Sequence, residues 1–419
     1  MKRKLLGEKR YAYAPNAHNF IHVLLHEVID IEKLRTAIAM LHKANPVLNS
    51  LLERTEHGLE LVEIPFIMPE IIEIERNNPK TYKKVMKEEE RIPLNLRQST
   101  GYRLVIVSDD EYTDVILMSH QILIDAESSL LLLAAILKAY TSNSVTSFAY
   151  GVMKQSQLDL NIVDRNLLKR VITQYKDDPK FFVEEEYRKQ YMEYYRTYTS
   201  KFTNVLLTRD ESKAVIEYCD KYNLDLYAFI FTAFKASEEK YQNNRNNTFK
   251  GSVIMRNLRD KDETLGNYDS LGFIKFIYNA NKSLIENTLV LMKMIEGTDF
   301  TSYYNLNFEL SLSAFKALEN NTNVSMGLQH FAHRLGYWNQ LIGSELSFAN
   351  ALAYDAALPI EHIDVFRASH QLVEKNISIV RYGDRIYIGM QYNSLSTNEK
   401  DMNDIIENTR LILTDSIRE

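Results

Sequence analysis

Ser119-His120-Gln121-Ile122-Leu123-Ile124-Asp125-Ala126-Glu127-Ser128 is the stretch of this chain whose residue types and spacing best suit chemistry. An imidazole can take or give a proton near neutral pH, a carboxylate can orient a loop or pair with a cation, and a serine supplies a hydroxyl. Gln121, beside the imidazole, can only donate and accept hydrogen bonds. Three further groups need weighing. His18, His22 and His26 recur every four residues, which on a helix would make a metal-binding face. Phe20 to Ile29 is β-branched and apolar, however, and predicts a strand. There the outer two histidines would stand about 26 Å apart at ~3.3 Å per residue, too far to share an ion. No metal site is expected. His330 and His333 are spaced as a helical pair, solvated or able to lend a substitute base. Cys219 has no histidine close in sequence, so it is read as a small buried hydrophobe whose thiolate Asp220 disfavours. A glycine-rich phosphate loop of standard spacing is absent.

The elements that must position the His120 stretch can be read from periodicity. Tyr102 to Ser108 and Thr113 to Met118, joined by Asp109-Asp110-Glu111, predict a hairpin, which leaves His120 in the loop beyond it. Ser128 to Tyr140 is apolar nearly all round and predicts a buried helix. Ile31 to Lys43 reads as a helix with Asp30 as N-cap, ended by Asn45-Pro46. Thr208 and Glu211 form a capping box for a helix through Cys219, which Asn223-Leu224-Asp225 breaks before a buried helix begins at Leu226. Asn243 to Asn247 is a polar loop and Phe249 to Met255 a strand. Ile377 to Val380 and Arg385 to Tyr392 flank a turn at Gly383, and Ser396 to Glu399 caps the last helix. Strands and helices alternate without a strict βαβ rhythm. The expected class is α/β of the α+β type, with mixed sheets and packed helices.

With 419 residues the chain exceeds one compact core and suggests two lobes. The change of composition around Lys180 to Tyr198, a charged surface segment, places their boundary at 197/198, giving lobes 1–197 and 198–419. Hydrophobic residues at 45% and charged residues at 25% exclude a disordered chain. A net charge of −6 gives no basis for nucleic-acid binding. No run approaches the ~18 apolar residues of a membrane span. The basic start is followed by Glu8-Lys9-Arg10 where a signal peptide needs its apolar stretch, so the expected location is cytoplasmic. The single cysteine forbids an internal disulfide.

His120-Gln121-x-x-x-Asp125-Ala126 resembles the His-His-x-x-x-Asp-Gly signature of the condensation-domain and chloramphenicol-acetyltransferase-like acyltransferase superfamily. Gln121 stands in place of the second histidine and Ala126 in place of the glycine. Further matches follow in the right order: Asp30 to Leu34 and Asn45-Pro46-Val47-Leu48 near the start, Gly251 to Arg259 with the turn Gly266-Asn267-Tyr268, and Leu346 to Asn350. The resemblance implies two similar lobes in a V with a tunnel between them, walled in part by Ser347 to Asn350. An acyl donor on a pantetheine arm would meet an acceptor amine or alcohol there. It also implies that Asp125 is structural and pairs with Arg256, or with Arg259, and that Ser128 and Asn350 contact substrate.

On this resemblance the chain would transfer an acyl group from a coenzyme A or carrier-protein thioester to an amine, less readily to an alcohol, with no tightly bound cofactor. Gln121 would orient the acceptor while His120 and Asp125 hold the loop. Two other readings of His120 stay open: a base in a register shifted by a bulge, or a ring packed under the loop with its nitrogens bonded to backbone. A silent scaffold that binds a carrier protein or ligand without transfer is the alternative function, because a glutamine cannot replace a general base.

Overall fold

Five strands form the sheet that carries the predicted loop, and one of them comes from far along the chain. Their order is Ile360–Arg367, His18–Leu25, Thr113–His120, Tyr102–Ser108 and Ile71–Glu75. All neighbours are antiparallel except the last pair, which is parallel. The structure is a computed structural model, and it describes residues 2–4, 18–55, 58–151, 200–242, 252–258, 264–274, 276–300, 339–341, 359–367, 375–394 and 397–418. Thr113–His120 is buried along its whole length, as a central strand covered on both faces must be.

The predicted hairpin forms, with Tyr102 opposite Ser119 and Ser108 opposite Thr113. Its second strand runs two residues further than expected, so His120 ends the strand instead of lying in the loop. The helix after the loop spans Ala126–Ser142 and begins two residues before the expected Ser128. Asp125 is its N-cap, and the cap fixes the start. The predicted helix at Ile31 is observed as Ile31–Ala44, with the Asp30 side chain accepting from Glu32 N and Lys33 N.

Contacts divide the chain into two compact units, one of residues 1–157, 259–268 and 346–368, the other of residues 158–258, 269–345 and 369–419. The division is not the continuous one expected at 197/198. Backbone pairing is the reason: Ile360–Arg367 completes its hydrogen bonds on His18–Leu25, so a segment of the sequence's second half is built into the first unit's sheet.

In the second unit, Lys375–Tyr382, Arg385–Asn393 and Ser200–Val205 form an antiparallel sheet, the first two joined by the turn at Gly383, whose φ is +60°. A separate sheet joins Asp269–Ile274, Ser252–Asn257 and Asn339–Leu341. The Thr208 capping box opens the helix Arg209–Tyr222, and Asn223 closes it in the left-handed conformation. The final helix, Glu399–Ser416, is capped by Asn398, within the stretch expected to cap it. Cys219 is buried on the helix Arg209–Tyr222, and burial together with Asp225 and Asp220 pushes its thiol up to about 12, which makes it the inert hydrophobe expected. No described helix is long and apolar enough to cross a membrane. The segment Lys180 to Tyr198 and the Asn243–Asn247 loop lie outside the described residues.

The second unit also buries a charge cluster. Glu238, fully buried, accepts from Lys375 Nζ at 2.8 Å and pairs with Lys235. Burial opposes its ionisation, but the two ammonium groups outweigh that and lower its pKa to about 2. Lys375→Met should cost about 3–5 kcal/mol, since the carboxylate loses half its compensation. Because the folded pKa is depressed, the stabilisation is present above pH 4.5 and is lost as pH falls toward 2. Urea unfolding of both proteins between pH 7 and 3 measures each effect.

Candidate active site

Residues Gln121 to Asp125 form a short turn between the central strand and the buried helix, and every side chain in it is buried. The turn starts where the sheet ends: His120 N–H donates to Gly101 O at 2.8 Å, while Leu123 N and Ile124 N donate back to His120 O. Gly101 packs closely on Leu123, since a Cβ there would lie 2.7 Å from Leu123 Cδ2 and displace that side chain.

Asp125 closes the turn. One carboxylate oxygen accepts from Ser128 N at 2.7 Å, and the other from Tyr268 N at 2.8 Å. Its own N–H donates to Gly266 O, and its carbonyl accepts from Ser129 N and Ser129 Oγ. The carboxylate is fully buried at the positive end of a helix and takes two backbone donors, an arrangement that compensates its charge locally. The expected partner Arg256 lies on Ser252–Asn257 with its side chain outside the described residues, and Arg259 lies outside them altogether.

The turn Gly266-Asn267-Tyr268 is brought against this loop. Ser128 Oγ donates to Gly266 O at 2.9 Å and accepts from Gly266 N at 3.1 Å. Asn267 Nδ2 donates to Gln121 O at 2.7 Å. The Ser128 hydroxyl, expected to touch substrate, therefore has its proton and one lone pair engaged on Gly266. Its visible work is to place that turn. Gly266 tolerates no side chain, since a Cβ would stand 2.2 Å from Gly151 O.

The two polar groups of chemical interest face strand His18–Leu25. Gln121 Nε2 donates to Asn19 Oδ1 at 3.2 Å, and Asn19 Nδ2 donates to Ile124 O. His120 pairs directly with His18 across the ladder, with no register shift along that pairing. Burial pushes the His120 pKa down to about 3, which keeps the ring neutral. Its Nδ1 accepts from Ile122 N at 3.1 Å. A neutral ring that accepts at Nδ1 carries its proton on Nε2, so the remaining nitrogen is a donor and not a base.

His18 was weighed in the sequence only as part of a metal face, yet it lies against His120, ring centroids 5.5 Å apart and edge to face. It is fully buried, and among the described residues neither of its ring nitrogens has a hydrogen-bond partner. Burial, then His120 and Arg103, lowers its pKa well below the usual value. The alternation of strand residues was the available signal: it puts His18 on the face opposite Asn19. Asn350, His330 and His333 lie outside the described residues.

Two outcomes follow from this geometry. Asp125→Ala should cost about 2–4 kcal/mol, combining a lost cap with a stranded Tyr268 N–H, while Asp125→Asn, which keeps an acceptor oxygen, should cost less. Equal losses in urea unfolding would mean that charge, not acceptor geometry, holds the loop. Secondly, the unfolded chain protonates His120 near pH 6.5, whereas the folded chain does so only near 3. Stability should therefore fall as pH drops below 6.5, by up to ~1.4 kcal/mol per pH unit for each such histidine. His120→Asn should flatten that slope between pH 7 and 5.

No sequence family and no curated protein matches the chain. Solved structures do. The cyclization-docking bidomain of a nonribosomal peptide synthetase from Sorangium cellulosum is 12% identical with a TM-score of 0.64, covering 100% of this chain and 85% of its own. Polyketide synthase associated protein 5 from Mycobacterium tuberculosis is 14% identical with a TM-score of 0.61, covering 100% and 98%. The first condensation domain of the calcium-dependent antibiotic synthetase, solved with a substrate analogue, is 11% identical with a TM-score of 0.65, covering 100% and 97%. Along its whole length this chain has the two-lobe, mixed α/β fold of the condensation domains and the chloramphenicol-acetyltransferase-like superfamily.

Proposed function

We propose that the chain transfers an acyl group from a thioester, on coenzyme A or on a carrier protein's phosphopantetheine, to an amine, and that it does so by positioning instead of general-base catalysis. The observation that carries this reading is the tautomer of His120. With Nδ1 engaged by Ile122 N–H, the ring offers an N–H at Nε2 and no basic lone pair. Such a donor suits the oxyanion of a tetrahedral intermediate, where one hydrogen bond is worth on the order of 10²–10³ in kcat. The condensation domains that share the fold supply the reaction class.

The step balances without a base. A neutral amine attacks the thioester carbon, a C–N bond forms, the C–S bond breaks, and the proton lost by nitrogen leaves with sulfur as the thiol. Holding amine and thioester together can supply effective molarities of roughly 10⁵ M and above. A simple alcohol would need its proton removed before or during attack, and Gln121 cannot take it. The Gln121 amide, steadied on Asn19, retains an N–H and its carbonyl oxygen to orient the acceptor. Asp125 and Ser128 hold the loop, and Asn350 contacts substrate.

The glutamine also favours a second reading, a silent scaffold that binds an acyl-carrier or coenzyme A without transfer. Release of free thiol from short acyl-pantetheine thioesters with a panel of amines separates the two. Amide formation is expected, with a rate that follows the unprotonated amine and shows no enzyme inflection near pH 6.5. His120→Ala should lower kcat by about 10²–10³ with little change in KM, and Gln121→His should raise alcohol transfer by up to ~10²-fold. Thioester binding without turnover identifies the scaffold. Turnover that survives both His120→Ala and Gln121→Ala overturns the site.

A further inference from the structure

Some way along the same strand from the loop, the sheet assembles a second group of side chains that the acyl-transfer reading leaves unused. His22, His362 and Asp364 each present a ligand atom, and the three atoms lie within 4.8 Å of one another. His22 Nδ1 is 3.1 Å from Asp364 Oδ2, and His362 Nε2 is 2.9 Å from Asp364 Oδ1. His22 and Asp364 are direct cross-strand partners, and His362 precedes Asp364 by two residues on the same face. The register shifts between Ile360 and His362, an irregularity that re-aims the edge strand at this point. His22 stands four residues from His18, about 13 Å at ~3.3 Å per residue, so this group is separate from the loop.

We propose that His22, His362 and Asp364 form a binding site for a divalent cation of the zinc class. Three features point there. The contacts of Asp364 with the two rings, 3.1 and 2.9 Å, are close to the ~3.3 Å between neighbouring donor atoms of a tetrahedral site with bonds of ~2.0–2.1 Å. The donor set of two imidazoles and one carboxylate suits zinc and its transition-metal neighbours over magnesium or calcium, which prefer all-oxygen ligands. Each oxygen of Asp364 faces its own ring nitrogen, so the carboxylate lies between the two imidazoles.

The outer groups complete the case. His22 Nε2 lies 2.7 Å from Asp114 Oδ1, the arrangement in which a carboxylate orients a histidine ligand and fixes its tautomer. Asp114 is pinned in turn by Arg76 Nε at 2.9 Å, and Arg76 also bonds Asp109. Tyr82 stacks on the His22 ring at 3.9 Å and points its hydroxyl to Asp364 Oδ2 at 3.3 Å. His22 and Asp364 are buried while the His362 side chain is 20% exposed, so an ion has a way in from the His362 side. Bound there, the cation cross-links an edge strand to a neighbour 342 residues earlier in the chain.

The test uses tag-free, full-length protein stripped with a chelator and titrated with Co²⁺ and Zn²⁺. One equivalent of Co²⁺ should produce visible d–d absorption of a low-symmetry site, Zn²⁺ should displace it, and either ion should raise Tm. His362→Ala, at the partly exposed ligand, should weaken binding at least tenfold. Asp114→Asn should weaken it by about 10–100-fold through the outer carboxylate. His26→Ala, at an exposed histidine bonded to Glu111, should change nothing. His362→Gln, closer in volume, replaces the alanine variant if that one fails to fold. A folded wild type without the cobalt spectrum and with a metal-independent Tm would leave a proton-bridged ion cluster only and overturn the proposal. So would stoichiometric binding that persists in the His362 variants.

Discussion

A single buried carboxylate organises the loop on which the functional reading depends. Asp125 accepts from Ser128 N and from Tyr268 N, so the same group starts a helix and fastens a turn more than a hundred residues away in sequence. Burying a carboxylate is costly unless donors meet it, and here the helix terminus and two backbone N–H groups do so. The consequences spread outward. Ser128 is placed to grip Gly266 from both sides, Asn267 to hold the Gln121 carbonyl, and the intervening turn to press His120 against His18.

That framework also decides the protonation chemistry. A loop closed this tightly leaves little water around His120, and burial depresses its pKa far enough to keep it neutral. The Ile122 N–H then selects the tautomer. A histidine that looks like a base in sequence becomes a hydrogen-bond donor in place. Gln121 at the neighbouring position agrees with this, since neither residue offers a strongly basic nitrogen.

The sheet beneath the loop sets two electrostatic environments along one strand. At the His18 end the environment favours neutral rings; at the His22 end burial is outweighed by Asp114 and Asp364, and the His22 pKa is raised. Two histidines four residues apart on one face thus live in opposite electrostatic surroundings, set by which strands flank them. The edge strand Ile360–Arg367 makes the difference, because it brings Asp364 opposite His22.

Local pattern carried much of the architecture. The hairpin at Asp109, the helices opened by Asp30 and Thr208, the turn at Gly383 and the inertness of Cys219 all follow from short-range rules of capping, alternation and burial, and all are observed. The motif at His120 to Asp125 and its order relative to Gly266-Asn267 were also legible, because fixed residue types at fixed spacing survive in sequence. What only the tertiary structure decided involves residues that meet across long separations. Nothing near Ile360 announces that it joins the first sheet, so the 197/198 boundary misplaces it. Alternation spreads His18, His22 and His26 along one strand, but it could not show that His22 meets Asp364 and His362 from the other end of the chain. Nor could a sequence reveal the His120 tautomer, which depends on one backbone N–H and the burial around it. Periodicity reports a residue's face; its partners on that face depend on strand order, which non-local pairing sets.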